Sequence, residues 1–235
     1  RGTENYKGIE INRVPIIRRG SNGIMLAMNY LSFVVSGSIF SLFHKKKYDK
    51  VFAVNFSPIT AVIPAIVYCK KNKQALSIWV QDLWPESVIA ASNVKSERVQ
   101  KTLNRLVKYI YKKSDKIFIS NTSFKKSLLS KNVEESKIYY MPNWAEDFFE
   151  ANENIKVERK KYSITEGFVV MFAGNLGEAQ DLETVLKAAE LTKNINNVKW
   201  VFVGDGRKAN WLNENIKNKN LSETVKLLGR FPSKL

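Results

Sequence analysis

A rhythm in the sequence constrains the fold most. Short runs rich in β-branched and aromatic residues alternate with segments of helical periodicity, the pattern of parallel strands joined by helical crossovers. Strands are expected over 8–16, 50–56, 74–81, 115–120, 136–143, 168–172, 198–203 and 224–228. Helices are expected over 57–71, 96–113, 121–131, 179–192 and 207–218. Ser57 and Ser96 stand where N-caps belong, and Pro58 suits a first helical turn. Every expected strand precedes or follows a helix, so the fold class is α/β, βαβ throughout.

Charge divides the chain. Residues 1–145 hold 24 Lys and Arg against 9 Asp and Glu, a net of +15, whereas 146–235 hold 14 against 13, a net of +1. We read two domains, 1–145 and 167–235, joined by a polar and poorly periodic linker over 146–166. The basic half suits an acidic partner, either nucleic acid or an anionic membrane, or is simply a lysine-rich soluble surface. The single cysteine, Cys69, excludes a disulfide framework and suits a reducing compartment. The single histidine, His44, sits beside three lysines as a solvated residue and leaves no set for a zinc site or a Ser-His-Asp triad.

Residues 24–43 carry no charge over 20 positions, flanked by Arg18 and Arg19 on one side and Lys45, Lys46 and Lys47 on the other. The length would cross a bilayer, but basic residues at both ends give no orientation, and a span would part strands of one sheet. A buried helix and a helix embedded in the membrane interface fit the same residues.

Three turns carry glycines at strand ends. The first, in VVMFAGNLGEAQDLETVLKAAE, is a strand, a glycine turn and an amphipathic helix, a common phosphate-binding device. It contains neither GxGxxG nor GxxxxGK[ST], and has Asn175 and Gln180 where a cation might be sought. VFVGDGR repeats the device with Gly204, Asp205 and Gly206, and LLGRFP ends the next strand with Arg230 and Phe231. QDLWPES closes the strand at 74–81, where open α/β sheets place ligands; Asp82 and Glu86 are its candidate acid–base residues. Trp84 suits packing under the loop or stacking on a sugar, and Pro85 with Glu86 also suits a helix start.

IWVQDLWPESV, SDKIFISNTSFKKSLL with IYYMPNWAEDFF, the 171–190 stretch and WVFVGDGRKANWL with VKLLGRFP together resemble family 4 glycosyltransferases of the GT-B type. The resemblance extends to bacterial enzymes of O-antigen and capsule synthesis, including N-acetyl-L-fucosamine transferases. It implies two Rossmann-like domains facing each other across a cleft, both incomplete here. The implied reaction transfers a sugar with retention from a nucleotide sugar to a polyprenyl-diphosphate-linked acceptor, without a metal or other cofactor. The implied location is the inner face of the bacterial cell membrane, with Arg18, Arg19 and Lys45 to Lys47 toward the acceptor and an anionic surface.

For the donor, the resemblance implies contacts from Gly174, Asn175, Gly177, Gln180, Gly204, Asp205, Gly206, Arg230 and Phe231. Many relatives carry Arg and Lys at the places of Asn175 and Gln180, and a histidine at the place of Gln81. The backbone N–H groups of 174–177 and the following helix dipole would then hold the diphosphate. The resemblance also implies an upstream strand with a glycine loop and a downstream glutamate pair, so the chain is expected to be the middle of a longer protein and inactive alone. Other readings are an inert fragment of the same fold, a different Rossmann-type enzyme such as an epimerase or dehydrogenase, and a nucleic-acid binder. The last lacks a recognisable module.

Overall fold

The computed structural model describes residues 2–20, 23–92, 96–145, 159–164, 167–195 and 197–232. Its contacts divide the chain into two compact units, Arg1–Ala145 and Glu146–Leu235.

The first unit opens on an antiparallel hairpin, β1 (Gly2–Tyr6) and β2 (Ile9–Arg13). This corrects the βαβ-throughout expectation: β1 is a polar run with no apolar alternation to announce it. Its turn is built from Lys7 at φ 50° and Gly8 at φ 84°, the double positive-φ geometry that matches strand twist. Asn5 Oδ1 accepts from the Gly8 N–H at 2.9 Å.

A long helix, α1 (Gly23–Phe43), follows. Then β3 (Val51–Asn55), a 3₁₀ turn (Ile59–Val62), α2 (Ile63–Asn72), β4 (Leu76–Val80), α3 (Glu86–Ser92), α4 (Glu97–Lys113), β5 (Lys116–Ile119), α5 (Phe124–Ser130) and β6 (Ile138–Tyr140) complete the unit. Strands β3-β4-β5-β6 form one parallel sheet in that order. Leu76, Ile78, Val80, Ile117 and Ile119 bury one face against Ile66 of α2, Val107 and Ile110 of α4 and Leu128 of α5. Alternation sends the other residues to the opposite face, where the rung Val54, Trp79, Phe118, Tyr139 runs across the sheet. Phe52 packs on Trp79 and Phe118, and Phe118 on Tyr139.

Neither serine caps as expected. Ser57 lies before a 3₁₀ turn whose N-cap is Pro58, and Ser96 occupies the N-cap of α4 without a side-chain hydrogen bond. Pro64 instead marks the first turn of α2, where its missing N–H costs nothing. The loop residue Glu86 begins α3, so QDLWPES does open a helix.

The second unit is a parallel sheet β7-β8-β9 (Phe168–Ala173, Val198–Val203, Val225–Leu227) with helices α6 (Leu182–Leu191) and α7 (Ala209–Asn218). Phe202, Leu186, Ala189, Leu212, Ile216 and Val225 form its core. The linker expected over 146–166 falls mostly outside the described residues.

The reading of 24–43 as a buried core helix is overturned. Only Gly37 and Ser41 of α1 are buried. A Cβ on Gly37 would lie 2.7 Å from Pro64, so this glycine is what lets α1 rest on α2. Lys71 Nζ donates to the carbonyls of Leu42 and His44, closing the helix C-terminus, and Tyr68 Oη donates to the Lys46 carbonyl. His44 stacks on Tyr48 and shares a hydrogen bond with its hydroxyl, which accounts for it without chemistry.

Candidate functional site

In the second unit the three glycine turns end β7, β8 and β9, side by side, and are stitched together by their backbones. Gly174 N donates to Val203 O (2.9 Å), Leu176 N to Asp205 O (2.8 Å) and Gly204 N to Gly229 O (2.8 Å). A Cβ on Gly204 would stand 1.8 Å from the Gly174 carbonyl oxygen, and one on Gly206 2.3 Å from that of Leu176. Both glycines therefore serve the close approach of one turn to the next. Gly174 differs: a Cβ there meets nothing nearer than 3.9 Å, and Gly174 and Asn175 are exposed.

The stitching narrows the expectation that amides 174–177 hold an anion. Gly174 and Leu176 donate to the neighbouring turn, and Gly177 N donates to Asn175 O at 3.0 Å. Within the described stretch 174–183, the N–H groups without such an acceptor are those of Asn175, Glu178 and Ala179, and of Leu182 and Glu183 in the first turn of α6. Those of Leu182 and Glu183 stand at the positive end of the helix dipole.

Gln180 folds back on its own turn. With its amide oriented to satisfy its neighbours, its nitrogen donates to the carbonyls of Asn175 and Gly177, both at 3.2 Å. It braces the turn. Asp205 does likewise, accepting from the Gly206 N–H at 2.7 Å through Oδ1. Arg230 is exposed, and Phe231 meets Tyr162 edge-on at 5.1 Å.

Sequence reasoning missed Lys208. Its N–H donates to Leu176 O at 2.9 Å, and its ammonium lies 3.2 Å from Glu178 and 3.0 Å from Glu183, 4.7 Å over the Trp211 ring. Hydrogen bonds to Glu183 and then Glu178 raise its pKa. The turn that lacks cations at 175 and 180 thus has one brought to it by α7. The signal was a lysine opening the helix after GDGR.

In the first unit, Asp82 and Glu86 are not equivalent. Asp82 makes no side-chain hydrogen bond or ion pair among the described residues. Glu86 accepts from Ser127 Oγ at 2.7 Å and from Lys131 Nζ at 2.5 Å, and the Lys131 side chain is only 5% exposed. Partial burial pushes the Glu86 carboxyl up, but the hydrogen bonds from Lys131 and Ser127 outweigh it and hold the group below the usual range. Glu86 therefore ties α3 to α5. Nearby, at the C-terminal ends of β3 and β4, the fully buried Asn55 has both amide atoms unpartnered within the described protein, as are Gln81 Nε2, Trp84 Nε1 and Ser87 Oγ. Gln81 N donates to Asn55 O, so these two strand ends adjoin. Groups of this kind ordinarily meet water or a ligand.

The fold and the turn array define a class: two Rossmann-like α/β units of the GT-B type. Residues 154–235 match the model of the family described as Glycosyl transferases group 1. Over 240 residues the chain is 25% identical to a probable glycosyltransferase, WbjE, of Pseudomonas aeruginosa, covering 97% of this chain and 56% of that protein. The chain thus spans little more than half the length of this curated relative. Among solved structures it is similar to Anabaena Alr3699/HepE, determined in complex with UDP: TM-score 0.64 and 13% identity over 87% of this chain and 54% of that one. Staphylococcus aureus TarM, a mutant form determined with UDP among other ligands, matches at TM-score 0.58 and 15% identity, over 87% and 37%. The UDP-GlcNAc 2-epimerase of Methanocaldococcus jannaschii matches at TM-score 0.51 and 16% identity, over 92% and 58%.

Proposed function

We propose that the chain is part of a retaining glycosyltransferase that moves a sugar from a nucleotide sugar to a lipid-linked acceptor. The pathway is the synthesis of bacterial O-antigen, capsule or exopolysaccharide at the cytoplasmic face of the membrane. The donor is UDP-linked, with an N-acetylated deoxyhexosamine as its sugar, and transfer needs no metal. The observation that carries the reading is the array of stitched turns. It leaves the Asn175, Glu178 and Ala179 amides and the start of α6 for a diphosphate, in the unit where the family match falls. Similarity to UDP-bound structures supports the nucleotide, and similarity to WbjE supports transfer over epimerisation.

Two substitutions with opposite signs test it, by calorimetry of UDP binding to the full-length protein. Asn175 is exposed, and Asn175→Arg places a guanidinium beside the free amides, so affinity should rise about three- to tenfold at low salt and fall back as salt screens it. Gly174→Val puts a branched side chain at the turn's open surface, and binding should weaken at least about tenfold, roughly 1.4 kcal/mol. Unchanged affinity in both folded variants would sink the assignment. Release of free sugar epimer, with no transfer to any lipid-linked acceptor, would replace transfer with epimerisation.

A further inference from the structure

We propose that α1 is a monotopic membrane element that lies flat in the headgroup region of an anionic leaflet. This deepens the lipid-acceptor reading but rests on the first unit alone, so vesicle binding and UDP binding can fail separately.

The helix has a mean hydropathy of 1.6 over its most apolar 18-residue window, of which 6% is buried. Ile24, Met28, Leu31, Val35, Ile39 and Leu42 are all exposed, Ile24 at 74% and Leu31 at 63%. They recur about every 3.6 residues and so form one straight stripe, about 30 Å long on a helix of this length. The opposite side rests on α2 at Gly37. Soluble surfaces rarely leave so continuous an apolar stripe bare.

The path of the chain excludes a span. Glu10 of β2 pairs with Lys46 just past the helix C-terminus at 3.2 Å, so the chain arrives and departs at the same end of α1. Between them, residues 14–20 run back along the helix: Ile17 N donates to Ser32 Oγ at 2.9 Å, and Asn29 Nδ2 donates to Ile17 O. A bilayer crossed by α1 would have to separate groups that touch. Insertion by the Gly20 end is no better, because the exposed Arg18 and Arg19 would go first into hydrocarbon. With cations at both ends, the helix keeps all of them among lipid phosphates only by lying parallel to the surface.

The same charges argue against a second copy as the occupant. Antiparallel pairing of two stripes sets Arg18 and Arg19 against Lys45 to Lys47, and parallel pairing sets each cluster against itself. Either arrangement brings like charges together, whereas an anionic leaflet neutralises all of them.

The experiment is cosedimentation of the chain with phosphatidylcholine vesicles, with and without phosphatidylglycerol. Binding should require the anionic lipid and weaken with salt. Leu31→Glu should lower the partition coefficient at least about tenfold, and so should Lys45→Glu with Lys47→Glu, which spares the Lys46 pair. All these sites are exposed, and circular dichroism checks that each variant folds. Nitroxide labels on Ile24→Cys and Ile39→Cys, with Cys69 buried, should report the same shallow depth. Four outcomes overturn the proposal: no vesicle binding, equal binding to neutral vesicles, salt-resistant binding with the two labels at different depths, or a lipid-independent dimer abolished by Leu31→Glu.

Discussion

Replacing Gly204 by Ala will unfold the second unit far more readily than replacing Gly174, although both glycines end strands of one sheet. At Gly204 the backbone has φ +142° and a Cβ would lie 1.8 Å from the Gly174 carbonyl oxygen. Strain of that kind costs about 1–3 kcal/mol. Parting the turns also weakens the bonds from Gly174 N, Leu176 N and Gly204 N, each contributing about 1 kcal/mol. A loss of about 3–5 kcal/mol follows, a large share of the stability of a small domain. Gly174→Ala meets no atom within 3.9 Å and bears only the conformational cost of its own φ, about 1 kcal/mol. Urea unfolding followed by the fluorescence of Trp200 and Trp211 measures both. Equal losses would mean that the turns are not held by one another. UDP affinity should vanish in Gly204→Ala under conditions where Gly174→Ala still folds.

The second large effect concerns Glu86, which sequence reasoning offered as an acid–base residue. Glu86→Ala leaves the ammonium of Lys131, only 5% exposed, without its carboxylate. Stranding a buried charge costs about 3 kcal/mol, at the lower end here because Glu86 itself is 48% exposed. Lys131→Met removes the buried charge and leaves a half-exposed carboxylate that water can solvate, so it should cost less. The pair Glu86→Leu with Lys131→Met should recover most of the loss. If Glu86 only ties α3 to α5, transfer activity of the full-length protein should follow stability and return in the double variant. A stable double variant without activity would restore Glu86 to the chemistry.

The sign of the pH effect is fixed by the same pair. The carboxyl is held below its ordinary value of 4.5, so the pair's contribution is in place above that pH. It is lost as the pH falls through the lowered folded value. Acid titration of wild type against the double variant isolates it.

How much could be read from the sequence varies by element, for physical reasons. The strands of both parallel sheets were legible because strands buried in such sheets require dense β-branched and aromatic runs. The hairpin was not. Its first strand, GTENY, is exposed at every residue, so no burial pattern marks it. Residues 24–43 announced a long helix by their lack of charge, but burial belongs to the partner: it depends on Gly37 meeting Pro64, a residue 27 positions away.

The glycine turns were visible as turns, yet their amides could not be assigned. Whether Leu176 N faces a ligand or Asp205 O depends on how β7 and β8 lie in register. Gln180 and Lys208 illustrate the same limit. The bonds of Gln180 to its own turn depend on a fold the sequence does not spell out, and Lys208 drew no notice although it brings a cation to the turn.

Position 175 has a consequence of its own. The loop around it is fixed by main-chain bonds, by two glycines and by Gln180, while the Asn175 side chain lies over Gly177 and Gly206 on an exposed residue and makes no hydrogen bond among the described residues. Architecture and charge are thereby uncoupled. A lineage can exchange asparagine for a basic or an acidic residue there and retune its grip on an anion with little penalty in folding. Selection on the ligand can act at this site almost independently of selection on the fold, which makes it a natural point of divergence among chains built on this plan.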